Sequence, residues 1–242
     1  MFNFFKKKSE PIQLCFNTDI HCHVLPGIDD GSPDVDTSIE LIQRMQSWGI
    51  TRIIATPHVT QASFENTPQT MSDALTAVKE KLTAAGIDID ITHSAEYRID
   101  ELFLSHLNDG IVVPMPSNYL LVENSFIQEP WNLDQLLFDI KVKGYKPILA
   151  HPERYMYYYG KKERYNAIHS TGTKLQLNLL SIAGYYGKEE KRIAMELIDK
   201  GLVDFIGTDL HNHRHADAIE DYLASKEYRK LKDKLLLLNN TI

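Results

Sequence analysis

Cysteine is scarce in this chain: Cys15 and Cys22 are the only two among 242 residues. A disulfide framework is therefore excluded, and free thiols suit a reducing compartment, so the expected location is cytoplasmic. The loop of a cysteine-nucleophile phosphatase is missing too, because His21 and Ile28, not arginine, stand six residues beyond the two cysteines. No apolar run approaches the roughly 20 residues of a membrane span. The start, Met1 to Ser9, has neither the apolar core nor the small-residue cleavage site of a signal peptide. It reads as a solvated lead whose Phe2, Phe4, Phe5 and Lys6 to Lys8 would touch a membrane surface only marginally, without stable insertion. Basic charge is short as well: a formal net charge of -7 lacks the basic face that a nucleic-acid partner demands. Gly184 to Lys188 is too short for a nucleotide phosphate loop, and no nucleophile elbow is present.

What the chain does have is a repeating alternation of short extended apolar runs and amphipathic helical stretches, which predicts a parallel α/β architecture. At 43% hydrophobic over this length, one domain is expected. Residues 1–16 form a flexible lead and entry, and residues 17–242 a single barrel with a C-terminal helix. Asn17 to Ile20 reads as the first strand, followed by Ser32-Pro33 as N-cap and first helical position and by a stripe of Leu41, Ile42, Met45 and Trp48. Further strands are expected at Thr51 to Ala55, Ile87 to Ile91, Asn118 to Val122, Pro147 to Ala150, Lys174 to Leu179 and Val203 to Gly207. Seven strands are one short of the standard barrel, so the expected fold is a distorted (β/α)7 TIM-like barrel. The charged helical end, with Leu235 to Leu238, is expected to cap it.

Side chains that bind metals recur just after these strands: His21 and His23, Asp30, His58, Glu96, Glu123, His151, Asp209 and His211. In a (β/α) barrel the loops at the C-terminal strand ends converge, so the series predicts one polynuclear metal site rather than scattered histidines. In His21-Cys22-His23 alternate side chains project the same way, and Asp209-Leu210-His211 repeats that geometry at the other end of the domain. Imidazoles mixed with carboxylates, without thiolate, suit Mn, Fe, Co or Zn. Two cations roughly 3.5 to 4 Å apart can activate a bridging water and stabilise both oxygens of an in-line displacement, so hydrolysis is the natural use. Arg154, three residues after His151, offers the planar fork that matches a phosphate, with Arg98 a second candidate. Tyr155, Tyr157, Tyr158, Tyr159, Tyr185 and Tyr186 either form an aromatic rim at the site or pack half-buried.

Read together, Asp19 to Gly31 (DIHCHVLPGIDDG), Thr56-Pro-His58, Ala95-Glu-Tyr-Arg98, His151-Pro-Glu-Arg-Tyr155 and Thr208-Asp-Leu-His211 resemble the polymerase and histidinol phosphatase (PHP) superfamily. The closer resemblance is to the manganese-dependent tyrosine-protein phosphatases of bacterial capsule and exopolysaccharide loci. The resemblance implies a trinuclear site, with manganese as cofactor and a bridging hydroxide as nucleophile. One ion would take His21, His23, Glu96 and Asp209, a second Glu96, Glu123 and His151, and a third Asp30, His58 and His211. Arg154 matches the family's phosphate-binding position; the residues expected to be catalytic are Arg154, Asp209 and His211, and those expected to bind substrate are Arg154, Arg98, Arg214 and Tyr155. Arg214 stands closer to the final His than the family's further arginine does. The implied partner is a phosphotyrosine-bearing protein, the tail of a bacterial tyrosine kinase, and oligomerisation is left open.

Three rival readings remain. A small-molecule phosphatase of the histidinol-phosphate type would want a narrow, charged mouth. An amidohydrolase normally carries His after the fifth and sixth strands, where this chain has Glu96 and Glu123 in the middle and Asp-x-His at the end. A metal-loaded scaffold would gain stability from metal without turnover.

Overall fold

Short runs of apolar β-formers separated by amphipathic helices leave one economical arrangement, strands side by side and parallel with helices outside. The computed structural model describes residues 13–242, so Phe2 to Lys8 and most of the expected lead lie outside the described residues. The strands are β1 (Thr18–Asp19), β2 (Arg52–Ala55), β3 (His58–Val59), β4 (Asp90–His93), β5 (Glu96–Arg98), β6 (Tyr119–Glu123), β7 (Lys146–Ala150), β8 (Lys174–Asn178) and β9 (Phe205–Gly207). They form a three-stranded sheet in the order β1-β2-β4 and a six-stranded sheet in the order β3-β5-β6-β7-β8-β9, every pair parallel.

Nine strand segments replace the seven expected because two strands are interrupted. Pro57, which has no N–H to donate, separates β2 from β3. Its neighbour breaks at Ser94, whose hydroxyl donates to Val113 O at 2.7 Å. The two broken strands stay in step, Ser94 N donating to Ala55 O (2.9 Å) and Glu96 N to Pro57 O (3.0 Å). The whole is a curled parallel sheet, since the chain just past β1 meets the chain just past β9. A parallel bridge joins Cys22 to Leu210, Asp209 N donates to His21 O (2.8 Å) and His23 N to Leu210 O (2.9 Å).

The concave side holds Ile20, Ile54, Leu121, Ile148 and Phe205, joined by Met115 and Ile242. The C-terminal segment closes this end. Buried Asn239 donates to Thr18 O (3.0 Å) and Ile206 O (2.7 Å) and accepts from Ile206 N (3.1 Å). Of the four terminal leucines, Leu238 packs on the concave cluster and Leu235 and Leu237 on the outer core, while Leu236 is exposed.

Nine helices are described: α1 (Val35–Ser47), α2 (Pro68–Ala85), α3 (Glu101–Asp109), α4 (Leu133–Val142), α5 (Lys162–Ser170), α6 (Leu179–Ala183), α7 (Lys188–Asp199), α8 (His213–Leu223) and α9 (Lys226–Leu231). The expected stripe of α1 is buried, but its cap is not Ser32. Ser32 is held by its backbone, N to His23 O at 3.0 Å, and Asp34 caps the helix by accepting from Thr37 N at 2.8 Å. Leu179 begins a helix instead of ending a strand. Among the described residues no helix is long and apolar enough to cross a membrane.

Candidate metal centre

The alternation that sends Cys22 into the outer core points His21 and His23 into one buried space, their Nε2 atoms 3.4 Å apart. Glu96 opens β5 beyond the Ser94 interruption, so its carboxylate reaches both rings, Oε2 lying 3.1 Å from His21 Nε2 and 3.4 Å from His23 Nε2. Asp209 Oδ1 closes on the same rings from past β9, at 3.4 and 3.3 Å. His151 Nε2 lies 2.8 Å from Glu96 Oε1 and 3.9 Å from Glu123 Oε2. His58 Nδ1 faces Glu96 (3.2 Å) and Glu123 (3.5 Å), and its Nε2 faces Asp30 at 3.6 Å. His211 Nε2 meets that Asp30 carboxylate at 3.4 Å. All nine side chains singled out in the sequence therefore converge at the C-terminal strand ends.

Local backbone is bent to bring them there. His151 (φ 33°) and Asp209 (φ 51°) both hold the left-handed conformation that non-glycine residues rarely adopt. At Gly31 an added Cβ would sit 2.1 Å from His23 O, so only glycine lets the loop carrying Asp30 cross the His21–His23 strand end. Gly207 plays the same part under His21, where a Cβ would come within 2.5 Å of the His21 Cβ.

Among the described residues four groups of ligand atoms are compact enough to hold an ion, all atoms in each lying within 4.8 Å of one another. They are His21, His23 and Glu96; His21, His151 and Asp209; His58, Glu96 and Glu123; and His23, Asp30, His58 and His211. His58 thus stands beside the two glutamates as well as the His151 that the resemblance implied. The chemistry of the cluster fits cations. Glu96 Oε2 and His58 Nδ1, which face one another in the cluster, are buried without a hydrogen-bond partner, a costly state that a coordinated ion relieves.

Electrostatics agree. Burial and then the neighbouring Glu96 charge push the Glu123 carboxyl up to about 8. Burial opposes the charge of Asp209 and Glu96 too, yet the surrounding imidazoles, His21 foremost, hold both well below the usual carboxylate range. Burial lowers His151 to about 4, leaving its ring neutral, whereas at His21 the Glu96 and Asp209 charges outweigh burial and raise it to about 9. Carboxylates crowded in a dry space repel one another, and a cation between them removes the conflict.

The site opens into a cavity of about 430 Å³, bordered by Asp30, His58, Phe64, Arg98, Phe126, Arg154, Tyr186, His211 and His215 among others. Arg154 lies in the short turn after β7, with Nη1 3.1 Å from Asp209 Oδ2. Arg98 Nε donates to Glu123 Oε1 at 2.9 Å. Two residues expected at the substrate are elsewhere. Tyr155 is fully buried, its hydroxyl accepting from Asn124 N and donating to Ala150 O, both at 2.9 Å, so it packs beneath the site. Arg214 is exposed on α8 and does not border the cavity, because α8 turns its His215 side toward the site instead. His213, also exposed, lies 3.2 Å from Glu40. Of the tyrosines, Tyr186 borders the cavity, Tyr158 is buried and Tyr157 and Tyr159 are half-buried.

Several residues escaped the sequence reading. Asp29 Oδ2 accepts from His23 Nδ1 (2.7 Å), and Gln176 Oε1 from His21 Nδ1 (2.9 Å), each fixing a ring so that Nε2 faces the cluster. Asn178 Nδ2 donates to Asp209 Oδ2, and Asn178 N to buried Glu153 Oε1 at 2.9 Å. The signal was the alternation of β8: Gln176 and Asn178 are polar at i and i+2 between inert leucines.

Fold and site define an α/β protein whose parallel strands deliver a metal-binding cluster and an arginine to one cavity. The chain belongs to the capsular polysaccharide synthesis family CpsB/CapC, which matches residues 17–241. It is 32% identical to the tyrosine-protein phosphatase YwqE of Bacillus subtilis over 195 residues, 80% of this chain and 77% of that protein. It is 25% identical to the tyrosine-protein phosphatase CpsB of Streptococcus pneumoniae over 241 residues, 92% of this chain and 95% of that one. A solved structure from the work on these two, described as unique metal-dependent tyrosine phosphatases, superposes with a TM-score of 0.78 at 30% identity, covering 92% of this chain and 94% of that one.

Proposed function

We propose that this chain is a metal-dependent tyrosine-protein phosphatase that hydrolyses phosphotyrosine to tyrosine and phosphate. The observation that carries the reading is the meeting of the imidazole–carboxylate cluster with Arg154 in one open cavity, in a chain whose relatives are tyrosine-protein phosphatases. We read the two sheets as a distorted seven-stranded barrel, supported by the contact of the first and last strands at Cys22 and Leu210.

His21, His23, Glu96 and Asp209, then Glu123 and His151, then Asp30, His58 and His211 would hold the ions, three of them and manganese by preference. When bound they supply Lewis acidity toward the phosphoryl oxygens and a water that ionises near neutral pH. The chain's own groups do the rest. Arg154 presents its in-plane N–H groups to the phosphate, with Arg98, which also borders the cavity, adding charge. The phosphotyrosine ring lies toward Phe64 and Tyr186, which border the cavity. Asp29 and Gln176 keep His23 and His21 aimed. The substrate we assign is the phosphorylated tail of a bacterial tyrosine kinase controlling polysaccharide synthesis, met in the cytoplasm.

The test is hydrolysis of a phosphotyrosine peptide and of histidinol phosphate, side by side, by metal-stripped protein reconstituted with manganese. The expected result is preference for the peptide, abolished by chelation. Preference for histidinol phosphate would replace the substrate, and metal uptake that raises stability without turnover of either would point to a scaffold.

A further inference from the structure

Two aromatic rings lie against the guanidinium of Arg154. Its central carbon lies 4.1 Å from the ring centre of Tyr186 and 4.8 Å from that of Phe126. The three residues come from neighbouring loops: Phe126 follows β6, Arg154 follows β7 and Tyr186 follows β8 and α6, and β6, β7 and β8 are adjacent in the sheet. Each ring is itself held. Phe126 stacks on His151 with centroids 5.5 Å apart and planes within 16°. Tyr186 meets Tyr185 edge-on at 5.3 Å, and its hydroxyl lies 3.4 Å from Asp209 Oδ2.

An unsupported arginine in an open cavity samples many rotamers, of which few aim the planar fork at a phosphate. A cation over a ring face is attracted by the ring's quadrupole, more strongly where water is excluded, and only 24% of the Arg154 side chain is exposed. With two rings beside it and Nη1 bonded to Asp209, the group is left few orientations in which its in-plane N–H bonds can meet a ligand. Arg98 lacks this support, its central carbon standing 6.0 Å from Phe126 alone.

We propose that Phe126 and Tyr186 are positioning residues, an aromatic clamp that fixes the guanidinium plane of Arg154 so that its edge meets two oxygens of the phosphate. The proposal rests on Arg154 as the phosphate ligand. The full chain loaded with manganese, carrying Phe126→Leu, Tyr186→Leu or Tyr186→Phe with and without Arg154→Ala, is assayed on a phosphotyrosine peptide. Binding of inorganic phosphate is measured by calorimetry, and metal content and thermal midpoint are followed in parallel. Each leucine variant is expected to lower kcat/KM and weaken phosphate binding by about tenfold with metal content unchanged. Tyr186→Phe, which keeps the ring, recovers most of the loss. In the Arg154→Ala background the leucine substitutions cost less than about twofold more, because the group they orient is gone.

Equal losses in both backgrounds, or loss of metal in step with activity, would overturn the clamp, since the rings would then act on something other than Arg154. Undiminished phosphate binding in Arg154→Ala overturns it as well. A wild-type protein that takes up manganese and ignores the peptide overturns the phosphatase reading alone, and phosphate binding then still decides the clamp.

Discussion

Asp29 Oδ2 accepts a hydrogen bond from His23 Nδ1 at 2.7 Å and a second from His58 N at 3.1 Å. One carboxylate that need touch no ion thus sets two of the imidazole-bearing segments. Asp29→Asn is expected to weaken metal binding by about 10- to 100-fold, the usual cost of losing such a partner. Competitive chelator titration would measure it, and affinity equal to wild type would remove Asp29 from the design of the site.

Gly31 leaves no room for a side chain, so Gly31→Ala must displace the main chain at His23. Overpacking of this kind costs about 1 to 3 kcal/mol, and here it also moves a ligand-bearing strand end. Lower denaturation midpoints and lower metal content are expected together; a stable variant with full metal content would contradict the close approach.

Tyr155→Phe removes a hydroxyl that bridges Asn124 N and Ala150 O. The buried partners left unpaired cost about 1 to 3 kcal/mol of stability. Because Tyr155 lies beneath the cavity and not in it, KM for a phosphotyrosine peptide should stay within about twofold at temperatures where the variant is folded. A large rise in KM at unchanged stability would return Tyr155 to the substrate surface.

Glu220 joins α8 to α1, accepting from Arg44 Nε (2.9 Å) and from Trp48 Nε1 (3.1 Å). The Arg44 hydrogen bond, followed by that from Trp48, lowers the Glu220 pKa. A lowered carboxylate stabilises the fold above its unfolded pKa, about 4.3, and that contribution is lost as pH falls through the folded value. With the Glu220 side chain 40% exposed, solvent screening limits the effect to about 0.5 kcal/mol. Urea midpoints of wild type and Glu220→Gln are therefore expected to differ at pH 7 and to converge as the pH falls through the lowered folded value; a constant gap would show that ionisation of Glu220 is not its source.

Much of this was legible in the sequence because ligand positions obey a simple rule: a polar residue of the right chemistry immediately after an apolar run. His21, His23, Glu96, Glu123, His151 and Asp209 stand out that way. Interruption of the second and third strands was harder to see, since Pro57 fixes a direction without revealing that β3 continues the sheet. Tyr155 and Tyr186 are the same residue type; only the turn after Arg154 sends one beneath the site and the bend after α6 brings the other against the guanidinium. Arg214 was misplaced for a related reason, because Asn212 caps α8 through His215 N and so sets the helix phase that turns His215 inward.

The seam where the first and last strands meet lies between the proposed ligands, Cys22 between His21 and His23 and Leu210 between Asp209 and His211. Any cation held jointly by His21, His23 and Asp209 therefore ties together segments from opposite ends of the domain. Bringing such distant segments together carries a loop-closure entropy that a disulfide would otherwise help offset. In a chain whose only two cysteines are both free, such ions would be its cross-link, and affinity for metal would at the same time be cohesion of the sheet. Stripping them should release the amide protons along the seam to solvent exchange before those of β6 to β8, making the catalytic centre the clasp by which the molecule is fastened.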